Sequence, residues 1–463
     1  MPGGDGLGTG GGGRLGDEET LEEFKAALRS LTEKVCRELE GQEIPKRPIW
    51  TVVNTSGAAP HVALDVERPV LSDIRFGLSL GLLQLPEYGA VADAAENDTE
   101  LREGIIIDAG GFIRPPERTN LTRALVTNFL WRYLREGVQL DWDEARFNET
   151  FDELRADLLR KSVVFHTTLP LSNLKVAIDA LDFGEELRLL PASLEELERW
   201  LSPDRTLPPL GAGPPQWNSH FVDRPAVLHA RHVIAGQPPP GDLQSLPDHL
   251  PRVNAGRAIT ALRLVLNAPI SVIFQEQDSE GLMALGGGAT TWGWSPPPLG
   301  PVATLDEEKR AEVIRVWQLL QTSPNLERLT LPLRRWESSL LRASFEDRLI
   351  DAWISLEALL LGGQEGELSY RAAVLLAELL GTSGADRKTI YDATRISYRW
   401  RSAIVHGLST KRLARSNPLQ ETVRITTEYL RLALLKVLEL PGRFDAKKLE
   451  SDLLGRDAQN PDN

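Results

Sequence analysis

Residues 293–303 read GWSPPPLGPVA, and three consecutive prolines flanked by glycines exclude both helix and sheet there. The segment separates two stretches of different character. At 463 residues the chain exceeds what one ordinary core accommodates, so two or three domains are expected. Upstream, strand-like pieces recur: PIWTVVNT (48–55), EGIIIDAGGFI (103–113), KSVVFHTTL (161–169), ELRLLPA (186–192) and AVLHARHVIAG (226–236). TALRLVLNAPISVIFQ (260–275) reads as two strands joined at Asn267-Ala268-Pro269. Between them lie predicted helices at 19–40 and 121–137, and a capping box of Ser193 with Glu196. Downstream, strand signals vanish. Amphipathic helices are predicted at 305–322, with Thr304 as N-cap, and at 331–343, 345–361, 369–381, 386–406 and 418–439.

The pattern predicts an α+β region with an antiparallel sheet over 21–300, followed by an all-α bundle over 304–445. The glycine-rich residues 1–20 and the tail 446–463 are expected to be disordered and flexible. A formal G-x-G-x-x-G at Gly6, Gly8 and Gly11 lacks the preceding strand that dinucleotide binding requires. No G-K-[ST] loop appears, and no cofactor is implied.

One cysteine, Cys36, precludes an internal disulfide and fits a reducing compartment. The N-terminus lacks the pattern of a signal peptide, and FGLSLGLLQLP (76–86) is too short to span a bilayer. A cytoplasmic chain without membrane attachment is expected. His229 and His232, with His220 and Asp223 nearby, raise a metal reading. On a strand, however, positions three apart point to opposite faces, so no metal site is expected.

A net charge of −14 argues against a surface that grips nucleic acid everywhere. Distribution matters more. Between Ala393 and Gln420 lie Arg395, Arg399, Arg401, Lys411, Arg412 and Arg415 with no acid, leaving 46 basic against 66 acidic residues elsewhere. That segment contains YRWRSAIVHG (398–407). On the predicted helix 386–406, Ile390, Ala393, Ile396, Trp400, Ala403 and Ile404 form an apolar stripe, and Arg395, Arg399, Ser402 and His406 a polar one. Arg401 sits about 140° around the axis from His406. Gly407 suits a C-cap, which puts His406 at a helix end, where the dipole favours a cation.

The residue types fit RNA chemistry. Metal-independent cleavage needs a proton acceptor for the 2′-OH, a donor for the leaving oxygen, and positive charge at the phosphorane. Histidine serves either proton-transfer role, and arginine matches phosphate oxygens. One histidine per chain is sparse for two transfers, and a second motif across a dimer would supply the other. Glu357, among apolar neighbours in ISLEALLL, is expected to pair with an arginine, either Arg371 or Arg401. Tyr398 either packs at the helix edge or sets a phenol beside the phosphate.

YRWRSAIVHG resembles the R-x(4–6)-H signature of HEPN domains, and RSAIVHG is especially like their Apea-like branch. DRLIDAWISLEALLLG (347–362) and ELSYRAAVLLAELLG (367–381) look like the preceding helices of that branch. The resemblance covers about 305–440. A fainter one extends through FHTTLPLSNLKV (165–176) and TALRLV (260–265) to the N-terminal domain that often accompanies such modules.

The resemblance implies a helical bundle, a homodimer apposing two motifs, and metal-independent endoribonuclease activity of a toxin or anti-phage kind. By position, Arg401 and His406 are the signature pair, with Ser402 after the arginine. The permitted spacing also admits Arg399, which the helical wheel places better. Arg395, Lys411, Arg412 and Arg415 would contact RNA. The N-terminal region would sense a phage-derived or cellular trigger. The alternative is a non-catalytic HEPN module that binds RNA or dimerises, with the N-terminal region sensing a ligand or partner.

Overall fold

The computed structural model describes residues 14–40, 46–53, 61–69, 84–97, parts of 125–134, 139–158, 162–193, 196–197, 225–235, 249–279, 292–293, 301–362 and 367–455. The chain is mostly helical, with a small antiparallel sheet in its N-terminal half and a helical C-terminal region. Among the described residues no helix is long and apolar enough to cross a membrane. The pieces 103–113 and 76–83 lie outside the described residues, as do His220 and Asp223.

The first unit is built on helix α1 (Arg14–Leu39), which begins inside the stretch expected to be disordered. Its Phe24, Leu28, Leu31 and Val35 are buried at helical spacing against α2 (Pro86–Asn97), α3 (Glu144–Leu158) and the helical residues near Phe129. The hairpin β1 (Lys46–Val53) with β2 (His61–Pro69) follows α1 in the chain.

The main sheet takes its centre from β3 (Ser162–Ser172). Antiparallel partners are β7 (Ala226–Ala235), β8 (Ser271–Val272) and β9 (Phe274–Ser279), with β6 (Leu187–Pro191) and β5 (Leu181–Asp182) beyond β7 and β10 (Trp292–Gly293) on β9. Alternation gives the sheet its apolar face: Leu169, Leu171, Leu187, Leu189, Leu228 and Ala230 are buried. The Ser193–Glu196 capping box forms reciprocally at 3.1 and 2.8 Å.

Residues 260–265 are not a strand. They belong to α4 (His249–Leu266), and only the pieces after Pro269 are extended. Ala255, Ala258, Ile259, Ala261, Leu262 and Leu264 are all buried, because α4 is covered by the sheet on one side and a helix on the other. Burial around most of the circumference erases the helical period and leaves a run that reads like a strand.

The helical region contains α5 (Glu307–Thr322), α6 (Leu326–Leu341), α7 (Phe345–Leu360), α8 (Leu368–Leu380), α9 (Gly384–Val405), α10 (Lys411–Ser416), α11 (Leu419–Glu439) and α12 (Ala446–Gly455). Helix α12 occupies part of the tail expected to be flexible. Its Glu450 holds Arg371 of α8 at 2.6 Å. The N-cap of α5 is Asp306, whose carboxylate accepts from Lys309 N at 3.1 Å. Thr304 belongs instead to β11 (Ala303–Leu305), which pairs in parallel with β4 (Leu174–Val176). At the centre, α7 buries Leu349, Ala352, Trp353, Leu356, Leu359 and Leu360, and α11 covers it with Leu430, Ala433, Leu434 and Val437.

The apolar core does not stop at the proline-rich segment. One cluster runs from the sheet through α4 into the bundle. Polar ties reinforce it: Arg263 meets Glu337 at 2.9 Å, Asn267 donates to Glu428 at 2.7 Å, and Arg431 donates to the Leu264 carbonyl at 2.6 Å.

Candidate functional site

The site is built on α9, and its buried face is turned slightly from the one the sequence predicts. Ile390, Thr394, Ser397, Trp400 and Ala403 are buried, while Ala393, Ile396 and Ile404 are only partly so. Two polar residues on a core face need partners, and they have them. Trp353 Nε1 donates to Ser397 Oγ at 2.8 Å, Ser397 and Thr426 hydroxyls share a hydrogen bond at 2.7 Å, and Thr394 donates to the Ile390 carbonyl. The same Trp353 ring meets Tyr398 edge to face, with centroids 5.2 Å apart.

That support carries the arginine. Arg401 Nη2 lies 3.3 Å from Glu357 Oε1, and the Arg401 guanidinium stands 5.9 Å from the centre of the Tyr398 ring. Glu357 is one turn beyond Trp353 on α7, so one helix face supplies both the ring under Tyr398 and the carboxylate beside Arg401. Of the two arginines considered for Glu357, Arg401 is the partner, and Arg371 is committed to Glu450. Arg399 points to solvent and forms no ion pair among the described residues.

His406 is the C-cap of α9 (φ −94°, ψ 6°), and Gly407 has φ +63°. Leu408 N donates to the Ala403 carbonyl at 2.8 Å and Gly407 N to that of Ile404 at 3.2 Å, a Schellman motif. The turn leaves the imidazole exposed between Val405, 49% exposed, and Leu408, 59% exposed. Ser402 is half-buried one turn earlier, and its carbonyl accepts from His406 N at 3.1 Å. Within one chain, Arg401 faces α7 while His406 ends the helix in solvent.

The remaining basic residues fall in two groups. Arg395 lies over the Tyr391 ring at 6.0 Å. Lys411, Arg412 and Arg415 are exposed on α10. Trp400 Nε1 donates to the Asn417 carbonyl at 3.0 Å and fixes the end of α10 against α9. Sequence reasoning missed Trp353 and Ser397 as supports, although Trp353 stands four residues before Glu357, the spacing that places two side chains on one helix face.

In the sheet, His229 lies on β7 as expected for a strand, with Nε2 3.2 Å from Glu196 Oε1. Among the described residues no group of three His, Cys, Asp or Glu side chains is placed to hold a metal ion. Comparison with protein families, with curated proteins and with solved structures finds no match to this chain.

Proposed function

We propose that the chain is a metal-independent endoribonuclease of the HEPN type, serving as a toxin or anti-phage effector. His406 acts as general acid or base, and Arg401 binds and stabilises the scissile phosphate. The observation that carries the reading is the Arg401–Glu357 pair at 3.3 Å, which holds an arginine of the R-x4-H spacing on a built support. A lone surface arginine would have no such support.

Arg401 turns to Glu357 while His406 ends the helix exposed, and the reading calls for a homodimer in which one copy's His406 completes the other's site. Exposed Val405 and Leu408 beside His406 supply apolar surface for that contact. The exposed Arg399, Lys411, Arg412 and Arg415 extend positive charge along the path of a strand. The N-terminal region, continuous with the bundle core, would carry the regulatory signal.

The same pair also favours a second reading. An arginine partly neutralised by Glu357 suits holding RNA without cutting it. Incubating wild type, His406→Ala and Arg401→Ala with total RNA, with and without chelator, separates the two. Cleavage by wild type alone, unaffected by chelator and leaving 2′,3′-cyclic phosphate or 3′-phosphate ends, is expected. Equal RNA survival in all three would remove the nuclease, and binding lost only in Arg401→Ala would support the second reading. A size measurement across protein concentrations tests the dimer.

A further inference from the structure

Next to the Arg401 pair the surface holds an open, shallow depression lined by Glu367, Leu368, Ser369, Tyr370, Arg395 and Tyr398. Its walls are the first turn of α8 and the middle of α9.

Tyr370 is a large ring that remains 49% exposed. It is fixed rather than splayed into solvent, because it meets Tyr391 edge to face at 6.2 Å. The same Tyr391 ring carries the Arg395 guanidinium. One buttress therefore orients an aromatic face and a cation, and Arg395 has no carboxylate partner among the described residues. Tyr398 supplies a second ring, and Ser369 a hydroxyl.

We propose that this depression seats one nucleotide unit, with its base against Tyr370 and Tyr398 and its phosphate on Arg395. Aromatic rings accept any base face, and a guanidinium matches phosphate oxygens. Glu367, the one acidic lining residue, suits a ribose hydroxyl or a base amine and opposes additional phosphates. A monophosphate unit is preferred over a triphosphate for that reason.

The chemistry is shared by a free nucleotide and by a nucleotide within an RNA strand, and placement favours the strand. Tyr398 belongs both to this depression and to the Arg401 site. Arg395 is six residues before Arg401, roughly 9 Å along the helix axis. The depression would hold a base flanking the cleaved bond and not the cleaved nucleotide itself. The strand assignment rests on the RNA-cleavage reading, whereas the nucleotide chemistry of the depression does not.

The test is calorimetric titration of the full chain with adenosine 5′-monophosphate, adenosine, inorganic phosphate, adenosine 5′-triphosphate and an adenylate pentamer. The His406→Ala form is used for the pentamer, so that it is not cut. Tyr370→Ala and Arg395→Ala are each expected to weaken the monophosphate by about 10-fold or more. Tyr370→Phe should bind like wild type, and unchanged melting temperatures would show that the variants fold.

No saturable monophosphate binding by wild type, or equal binding by wild type and a folded Tyr370→Ala, would overturn the proposal. Phosphate alone binding as well as the monophosphate would overturn the role of the base, and tighter triphosphate would overturn that of Glu367. A pentamer no tighter than the monophosphate would overturn the strand assignment. Monophosphate binding without RNA cleavage would leave the depression assigned and remove the nuclease, and cleavage without it would do the reverse.

Discussion

Glu357 Oε1 lies 3.3 Å from Arg401 Nη2, with both side chains about a quarter exposed. A pair this accessible contributes at most about 1 kcal/mol to stability, so its value is positional. Glu357→Gln keeps the shape and removes the charge. RNA cleavage should fall by roughly 10-fold or more, since small displacements of a reacting group are costly. The thermal midpoint should move by no more than about 2 °C. Full cleavage by Glu357→Gln would show that Arg401 needs no such partner.

Gly407 holds φ +63° at the turn that presents His406, and a Cβ there would meet nothing within 4 Å. The cost of Gly407→Ala is therefore purely conformational, about 1 kcal/mol. Cleavage should drop more steeply than stability, because a different turn re-aims the imidazole. Gly407→Asn, which tolerates the left-handed region better, should recover part of both. Comparing initial rates with melting temperatures for the two variants tests this.

Ser397→Ala leaves Trp353 Nε1 without its acceptor inside a core where Trp353 is fully buried. An unpaired buried donor costs about 1–3 kcal/mol. Urea unfolding followed by fluorescence should show a lower midpoint with an unchanged slope. An unmoved midpoint would mean that another acceptor replaces the hydroxyl.

Arg315 links α5 to α11, reaching Glu312 and Glu439 at 2.7 Å each. The hydrogen bond from Arg315 holds the Glu312 carboxyl below its ordinary 4.5. As pH falls, the unfolded chain takes up this proton before the folded one does. The contribution is complete above about pH 4.5 and is lost as pH drops through the lower folded value. Melting temperatures of Glu312→Gln should accordingly depend less on pH than those of wild type in that acid range. Parallel curves for the two proteins would exclude this pair from the acid response.

The helical region was legible because its stripes keep a clean period, as in Val423, Leu430, Ala433, Leu434 and Val437. Boundaries failed where a local signal misled. Pro332 suits a first helical position, which fits the expected start at 331. In the structure it lies inside α6, which begins at Leu326, and its carbonyl accepts from Ser355 at 2.7 Å. Helix α4 hid its period by being buried nearly all round. Of the site, the Glu357–Arg401 pair could be anticipated from a carboxylate among leucines. The depression could not, because Tyr370 and Arg395 lie 25 positions apart and are joined only through Tyr391.

The parallel pairing of β11 with β4 has a mechanical meaning. The chain enters α5 already pinned to β4, in a two-stranded sheet apart from the main one, so residues 303–305 act as a weld. Cutting there would strand Leu305 and the apolar face of α4 without cover. A displacement of β4 would therefore be felt directly at the start of α5.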